Sequence, residues 1–224
     1  MASKLRPGVI VVDPLPVVRA ALAKMIDDQP DLDVLAEAGT ADGAIETIRR
    51  IRRGNFSVLV ALGLEGDHDS YWLIRTIRHR FPGLSVLACG ANADPLSISR
   101  ALFSGADGFL DKSCDPDEFI RSLRIGASGE MVLAGPPTEW VGSIAEGIER
   151  RRLVESTLTD REREILKVAA EGLTTRQIAL RLGVSERTVT THLSRIYSKL
   201  GVGTRVAAIR LATDAGLISA GMPQ

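Results

Sequence analysis

The pattern of apolar residues changes character once along this chain, and that change limits the fold more than any other feature. Up to about residue 127, short apolar runs alternate with helix-length amphipathic stretches; beyond Thr157 only helical spacing remains. The run Val9-Ile10-Val11-Val12 ends at Asp13-Pro14 and precedes a helical stretch over residues 17–26. Residues 32–36 precede residues 41–53, where Ala44, Ile45, Ile48 and Ile51 recur at helical spacing. Residues 58–62 precede 71–80, residues 86–89 precede 95–104, and Phe109-Leu110 precedes 116–127. Nearly continuous apolar strands alternating with helices mean a parallel sheet covered on both faces. Five such units suit a doubly wound, flavodoxin-like α/β domain over residues 1–128, whose working crevice lies at the C-terminal ends of the strands.

Residues 129–156 read as a linker. Gly135-Pro136-Pro137 breaks structure. A short helix over residues 140–154 follows, with Glu146, Glu149, Arg150, Arg151 and Arg152 expected to face water. The all-α part, residues 157–224, holds four helices with legible ends. Thr159 with Glu162 three residues on is a capping box, and Gly172 is a natural stop. Thr174 or Thr175 starts a second helix that ends at Gly183. Ser185 starts a third that ends at Gly201, and Thr204 a fourth that runs to Gly216.

Formal net charge is zero for the whole chain, which argues against a nucleic-acid binder until the chain is divided. Residues 1–150 carry 16 Lys+Arg against 21 Asp+Glu, a net of −5, and residues 151–224 carry 12 against 7, a net of +5. The basic half is the one suited to phosphate. No apolar run is long enough to cross a bilayer and no signal-peptide core is evident, so no membrane partner is expected. Two cysteines, Cys89 and Cys114, are too few for a disulfide framework, and a reduced, cytoplasmic setting fits them.

A helix, a tight turn at Gly183-Val184 and a second helix make the helix-turn-helix layout, with small Ala179 permitting close approach. Val189, Leu193 and Ile196 would hold the second helix to its neighbours. Arg187, Thr190, Thr191, Ser194, Arg195, Ser198 and Lys199 would be exposed. Arginines and Lys199 suit phosphate; the hydroxyls suit base edges or phosphate. Read from pattern alone, an all-helical interaction domain with a solvated basic face remains an alternative. The residues Leu158-Thr159-Asp160-Arg161-Glu162-Arg163-Glu164-Ile165-Leu166 then tip the balance. They resemble the opening of the LuxR/NarL-type helix-turn-helix. Gln177-Ile178-Ala179, Ser185-Glu186-Arg187-Thr188-Val189, His192 and Lys199-Leu200-Gly201-Val202 continue the resemblance in register. It implies a four-helix domain that reads double-stranded DNA with its third helix and often pairs two subunits through its fourth. The expected DNA-binding set is Arg176, Ser185, Arg187, Thr190, Thr191, Ser194, Arg195 and Lys199. The family commonly places lysines where this chain has Thr190 and Ser194, so its target sequence should differ and its phosphate contribution be smaller. His192 has no Cys, His, Asp or Glu partner at ligand spacing, and no metal is expected there.

Beside such a domain, the β/α half resembles the receiver domain of two-component response regulators, in the NarL/FixJ order. Gly105-Ala106-Asp107-Gly108-Phe109-Leu110-Asp111-Lys112 looks like the family's fifth strand with its lysine, and Asp13 sits where receivers begin an acidic pair. The family's chemistry needs an aspartate ending strand three, a Mg²⁺ held by that aspartate and the acidic pair, and a hydroxyl ending strand four. Here Leu62 stands at the phosphoacceptor position, Pro14 at the second acid, Gly90 at the switch hydroxyl and Phe109 at the switch aromatic. Only Asp13 and Lys112 remain, and they are read as pairing with each other. Glu65, Asp67 and Asp69 are read as a solvated loop, and Tyr71-Trp72 as packing on the sheet by default, with capping of the pocket or ligand binding as alternatives.

The expectation is therefore a sequence-specific DNA-binding transcription regulator with a degenerate phosphorylation pocket at Asp13, Pro14, Leu62, Gly90, Phe109 and Lys112. It would be a homodimer that needs no cofactor and is answerable to a small-molecule or protein effector. An orthodox regulator phosphorylated on a displaced acid is the alternative. An enzyme is not expected: Asp13-Pro14-Leu15-Pro16 is no glycine-rich phosphate loop, and no nucleophile–base pair is evident.

Overall fold

The computed structural model describes residues 6–51, 56–215 and 217–218. It divides into two compact units, residues 1–141 and 142–224.

In the first unit, β1 (Gly8–Val12), β2 (Asp33–Ala38), β3 (Phe56–Ala61), β4 (Ser85–Gly90) and β5 (Gly108–Asp111) alternate with helices. These are α1 (Pro16–Asp27), α2 (Ala41–Arg50), α3 (Ser70–Arg80), α4 (Pro95–Phe103) and α5 (Pro116–Ala127). With a sixth strand, β6 (Val132–Ala134), the sheet is wholly parallel, in the order β2-β1-β3-β4-β5-β6. Every residue of β1 and β3 is buried, because helices cover both faces. On one face Val9, Val11, Leu59, Ala61, Leu87, Cys89 and Leu110 pack with α1 and α5 through Leu22, Ile26, Phe119, Ile120 and Leu123. Helices α2, α3 and α4 pack beside one another and against the strands. Helix α2 begins as read; residues 52 and 53 of the expected helix lie outside the described residues.

The sixth strand, β6 (Val132–Ala134), lies within the stretch read as a linker. It pairs parallel to β5, Gly108 opposite Val132 and Leu110 opposite Ala134. A Cβ on Gly108 would stand 2.4 Å from the Val132 carbonyl oxygen, so glycine there is what admits the strand. Three residues give too little alternation to register as a strand in the sequence.

The second unit is helical: α6 (Trp140–Thr157), α7 (Asp160–Ala170), α8 (Thr175–Leu182), α9 (Glu186–Leu200) and α10 (Arg205–Asp214). Val154, Leu158, Ile165, Leu166, Ile178, Val189, Leu193, Ile196, Ala208 and Ala212 form its core. The end of α6 belongs to this core and is not a solvated connector. Arg151, expected to face water, is 3% exposed and donates from Nη1 to the Ala215 carbonyl. Arg152 is exposed as read. The capping box at Thr159 and Glu162 is present, and Thr174 rather than Thr175 caps α8, with Gln177 completing a second box.

Candidate functional site

At the C-terminal ends of β1, β3, β4 and β5 the sheet brings the sequence-predicted pocket residues together. Asp13 follows β1 and is 1% exposed. Its Oδ1 accepts from the Leu15 backbone N–H at 2.9 Å, and its Oδ2 accepts from Lys112 Nζ. Lys112 itself is held by its backbone N–H, which donates to the Gly90 carbonyl at 2.8 Å. Each carboxylate oxygen of Asp13 therefore accepts one hydrogen bond. Arg19 Nη1 ties the Asp13 carbonyl as well, at 2.7 Å.

Leu62 follows β3, with its N–H donating to the Cys89 carbonyl at 2.7 Å. A methyl placed on Gly90 would meet the Phe109 ring at 3.6 Å and the Leu62 Cβ at 3.7 Å. Leu62, Gly90 and the fully buried Phe109 thus form an apolar corner beside the C-terminal ends of β3 and β4. Cys89, 1% exposed, lies beside it; burial pushes its thiol up to about 12, with Lys112 opposing and Asp13 reinforcing the rise.

Sequence reasoning missed Ser70, which closes this corner. Its hydroxyl donates to the Ala61 carbonyl at 2.7 Å and accepts from the Gly63 and Leu64 N–H groups at 3.1 and 3.0 Å. The turn after β3 is thereby fixed from beneath by a side chain 2% exposed. Beyond it Glu65 and Asp67 are exposed, and Asp69 is spent capping α3, accepting from the Trp72 N–H at 2.7 Å. Tyr71 and Trp72 each engage a neighbouring side chain. The Arg100 guanidinium sits 4.0 Å from the Tyr71 ring centroid, and Trp72 stacks on His68 at 3.6 Å, with His68 hydrogen-bonded to Asp42.

In the helical unit, α8 ends at Gly183, whose φ of 64° is the left-handed conformation that turns the chain within two residues to the α9 cap at Ser185. The Val184 N–H donates to the Ala179 carbonyl at 3.0 Å, and the buried Ala179 lies where α8 meets α9. Val189, Leu193 and Ile196 are buried; Arg187, Thr190, Thr191, Ser194, Arg195 and Ser198 are exposed. Among the described residues Arg176, Arg187 and Arg195 make no ion pair, so their guanidinium groups are available to an anion. Ser185 is engaged in the cap, its Oγ accepting from the Thr188 N–H at 3.1 Å.

Three of the expected DNA contacts have partners within the fold. Lys199 does not offer a free cation: its Nζ donates to Glu162 Oε2 at 2.7 Å. Glu162 is 4% exposed at its side chain. Burial pushes the Glu162 carboxyl up, but the Lys199 hydrogen bond, the Thr159 backbone and hydroxyl donors and the Lys199 charge together hold it below its ordinary value. The α7 cap and the end of α9 are joined through this carboxylate. Thr190 and Thr191 do not offer free hydroxyls either. Their Oγ1 atoms donate to the Glu186 and Arg187 carbonyls, each at 2.9 Å, four residues back in the same helix. Capping and back-bonding of this kind are invisible to a reading of exposed polar positions.

Comparison with known proteins bears on both units. Residues 9–124 match the response regulator receiver domain, and residues 156–212 match GerE, the bacterial regulatory proteins of the luxR family. The DNA-binding transcriptional activator DevR/DosR of Mycobacterium tuberculosis is 30% identical over 206 residues, covering 92% of this chain and 94% of that protein. The nitrate/nitrite response regulator protein NarL of Escherichia coli is 29% identical over 212 residues, covering 93% and 95%. A structure of RcsB from Salmonella enterica serovar Typhimurium, solved bound to a promoter with a phosphomimetic, matches with TM-score 0.58 at 24% identity, covering 94% of this chain and 99% of that one; this is a likeness of fold. The chain belongs to the LuxR/NarL-type response regulators. That family is one of DNA-binding transcription regulators with a receiver domain and a helix-turn-helix domain.

Membership brings the family's Mg²⁺ into question, and the donor set does not suit it. Mg²⁺ demands near-octahedral oxygen ligation and is held by carboxylates. Among the residues at this position, Pro14 and Leu62 have no side-chain oxygen, which leaves Asp13, already paired with Lys112, as the one carboxylate. Among the described residues no cluster of three or more His, Cys, Asp or Glu side chains is placed to hold a metal. No helix in them is long and apolar enough to cross a membrane.

Proposed function

We propose that this LuxR/NarL-type regulator controls transcription without aspartyl phosphorylation of its receiver domain. The observation that carries this reading is the state of the pocket: an apolar Leu62 where the phosphoacceptor belongs, and an Asp13 whose charge is already neutralised by Lys112. Phosphoryl transfer to a side chain needs a nucleophile and a counter-charge for the incoming oxygens. Here the nucleophile is replaced and the lysine is occupied. A displaced acid gains nothing from the geometry, since Asp69 caps a helix and Glu65 and Asp67 are exposed in the loop.

The helical unit supplies the output, binding double-stranded DNA with α9 in the major groove. Arg176, Arg187 and Arg195 are suited to phosphate oxygens, and Ser194, whose hydroxyl has no partner among the described residues, to a base edge or phosphate. A single helix reads only a few base pairs, so the working species is a homodimer on two half-sites. Val206, 76% exposed on α10, and Leu96, 38% exposed on α4, offer apolar contacts for pairing. The signal reaches the receiver domain as a bound small molecule or protein instead of a phosphoryl group.

The test is treatment of the full chain with acetyl phosphate, or beryllofluoride, and Mg²⁺. The expected outcome is no phosphate mass gain and no change in oligomeric state or DNA affinity. A stoichiometric gain of one phosphate mapped to residues 1–128 would refute phosphorylation independence. Leu62→Asp alone is expected to leave phosphorylation inefficient, because Pro14 still withholds the second acid.

A further inference from the structure

We infer that Thr190 and Thr191 recognise thymine through their methyl groups, not through their hydroxyls. The inference rests on the proposal that α9 is the DNA-reading helix. In the major groove each base presents a distinct edge, and thymine alone among the four carries a C5-methyl group, which apolar side-chain atoms such as a threonine methyl recognise by contact.

Thr190 and Thr191 are the fifth and sixth residues of α9, both exposed; helix geometry puts Thr191 opposite the buried Val189, Leu193 and Ile196 and Thr190 on the flank beside it. This is the N-terminal half of the helix, the part that meets base edges in a helix-turn-helix. Each hydroxyl has one proton, and each gives it to a carbonyl of its own helix, Glu186 and Arg187 respectively, at 2.9 Å. With Oγ1 turned back onto the helix, the γ-methyl is what remains of each side chain to face a groove. The bond from each Oγ1 selects one of the two χ1 rotamers that threonine adopts in a helix, so the methyl positions are set before DNA arrives. The partner-free Arg187 and Arg195 on the same exposed side supply phosphate contacts that hold the helix in register without specifying a base. The two chemistries are thus separated: cations position, methyls select. The hydroxyl of Ser194, one turn beyond Thr190, has no partner among the described residues.

The test begins with selection of preferred sites from a randomised duplex library by the full chain. Affinity is then measured on that site with each thymine in turn replaced by deoxyuridine, which deletes only the methyl group. Wild type is compared with the Thr190→Val/Thr191→Val and Thr190→Ser/Thr191→Ser variants. Wild type should bind about fourfold more weakly for each contacted thymine replaced, the value of burying one methyl-sized group. The valine variant, which keeps the methyls and loses the hydroxyls, should show the same uracil penalty. The serine variant, which keeps the hydroxyls, should show none. The uracil series on wild type decides the matter even if a variant misfolds. Specific binding that is indifferent to uracil, or preference kept by serine and lost by valine, would overturn the methyl readout while leaving α9 as the reader. Absence of any sequence-specific binding would overturn the assignment of α9 itself, and the methyl readout with it.

Discussion

Replacing Lys112 with methionine should destabilise the receiver domain, where in an orthodox receiver the same change chiefly removes phosphoryl chemistry. The reason is the burial of its partner. Asp13 is 1% exposed and has two donors to its carboxylate, the Leu15 N–H and Lys112 Nζ. Removing one partner of a buried ion pair costs about 3–5 kcal/mol, because the remaining charge is left without compensation. Lys112 is 17% exposed, so water reaches part of the vacated position and the low end, about 3 kcal/mol, is expected. With a urea dependence of about 2 kcal/mol per molar, the midpoint of the receiver transition should fall by roughly 1.5 M. Trp72 fluorescence in a Trp140→Phe background reports that transition, since Trp72 lies in α3 and Trp140 begins α6. Asp13→Asn added to Lys112→Met removes the stranded charge while keeping an oxygen for the Leu15 N–H, and should return stability to within about 1 kcal/mol of the parent. The reasoning fails if Lys112→Met shifts the midpoint negligibly, or if millimolar Mg²⁺ restores the variant, since a metal-dependent recovery would make Asp13 a ligand instead of a salt-bridge partner.

The helical unit carries an acid-sensitive joint at Glu162. Its folded carboxyl is held below the ordinary 4.5, so it contributes stability above that value and loses it as pH falls through the depressed one. Lys199→Met should lower stability by about 1–2 kcal/mol near neutrality, allowing for the exposed lysine end, and flatten this acid limb in thermal unfolding scans; an unchanged limb would contradict it. Cys89, held near 12 by burial, should resist thiol reagents at neutral pH until denaturant is added, while the partly exposed Cys114 reacts first; equal rates in the native protein would show the core to be open. The untreated full chain should scatter light as a dimer, and a strict monomer at tens of micromolar with and without a palindromic duplex would rule constitutive pairing out.

How much of this was legible in the sequence depended on whether the signal was local. Runs such as residues 9–12 and 58–62 gave the strands because burial on both faces leaves no polar residue to interrupt them. The caps at Thr159, Thr174 and Ser185 were readable because a cap is a contact over three residues. The apolar lining at Leu62 and Pro14 was readable because it is a matter of residue type, and no folding can give Leu62 an oxygen. The strand β6 was not readable: it exists because Gly108, 24 residues earlier, leaves room for the Val132 carbonyl. Arg151 looked solvated in a charged run, yet it closes on the Ala215 carbonyl 64 positions away. Lys199 looked like a phosphate ligand because its partner Glu162 lies 37 positions away in another helix.

The same distinction explains why the two sites differ in what they retain. A receiver that stops transferring phosphoryl groups loses the use of an acidic cluster, and like charges held close in a partly buried crevice destabilise the fold unless a cation compensates them. Pro14 and Leu62 add no charge beside Asp13, which finds its counter-charge in Lys112, from the next-but-two strand in the sheet order. The pair then joins the ends of β1 and β5 across β3 and β4 and is worth keeping for the fold alone. In the helical unit, by contrast, the N-terminal part of the exposed face of α9 is not tied to another helix: Arg187 and Arg195 make no ion pair among the described residues, and the threonine hydroxyls bond their own helix. Charges kept unpaired beside stiff methyl groups, on a helix whose other side is fully packed, are what an external polyanion with a methyl-bearing groove requires.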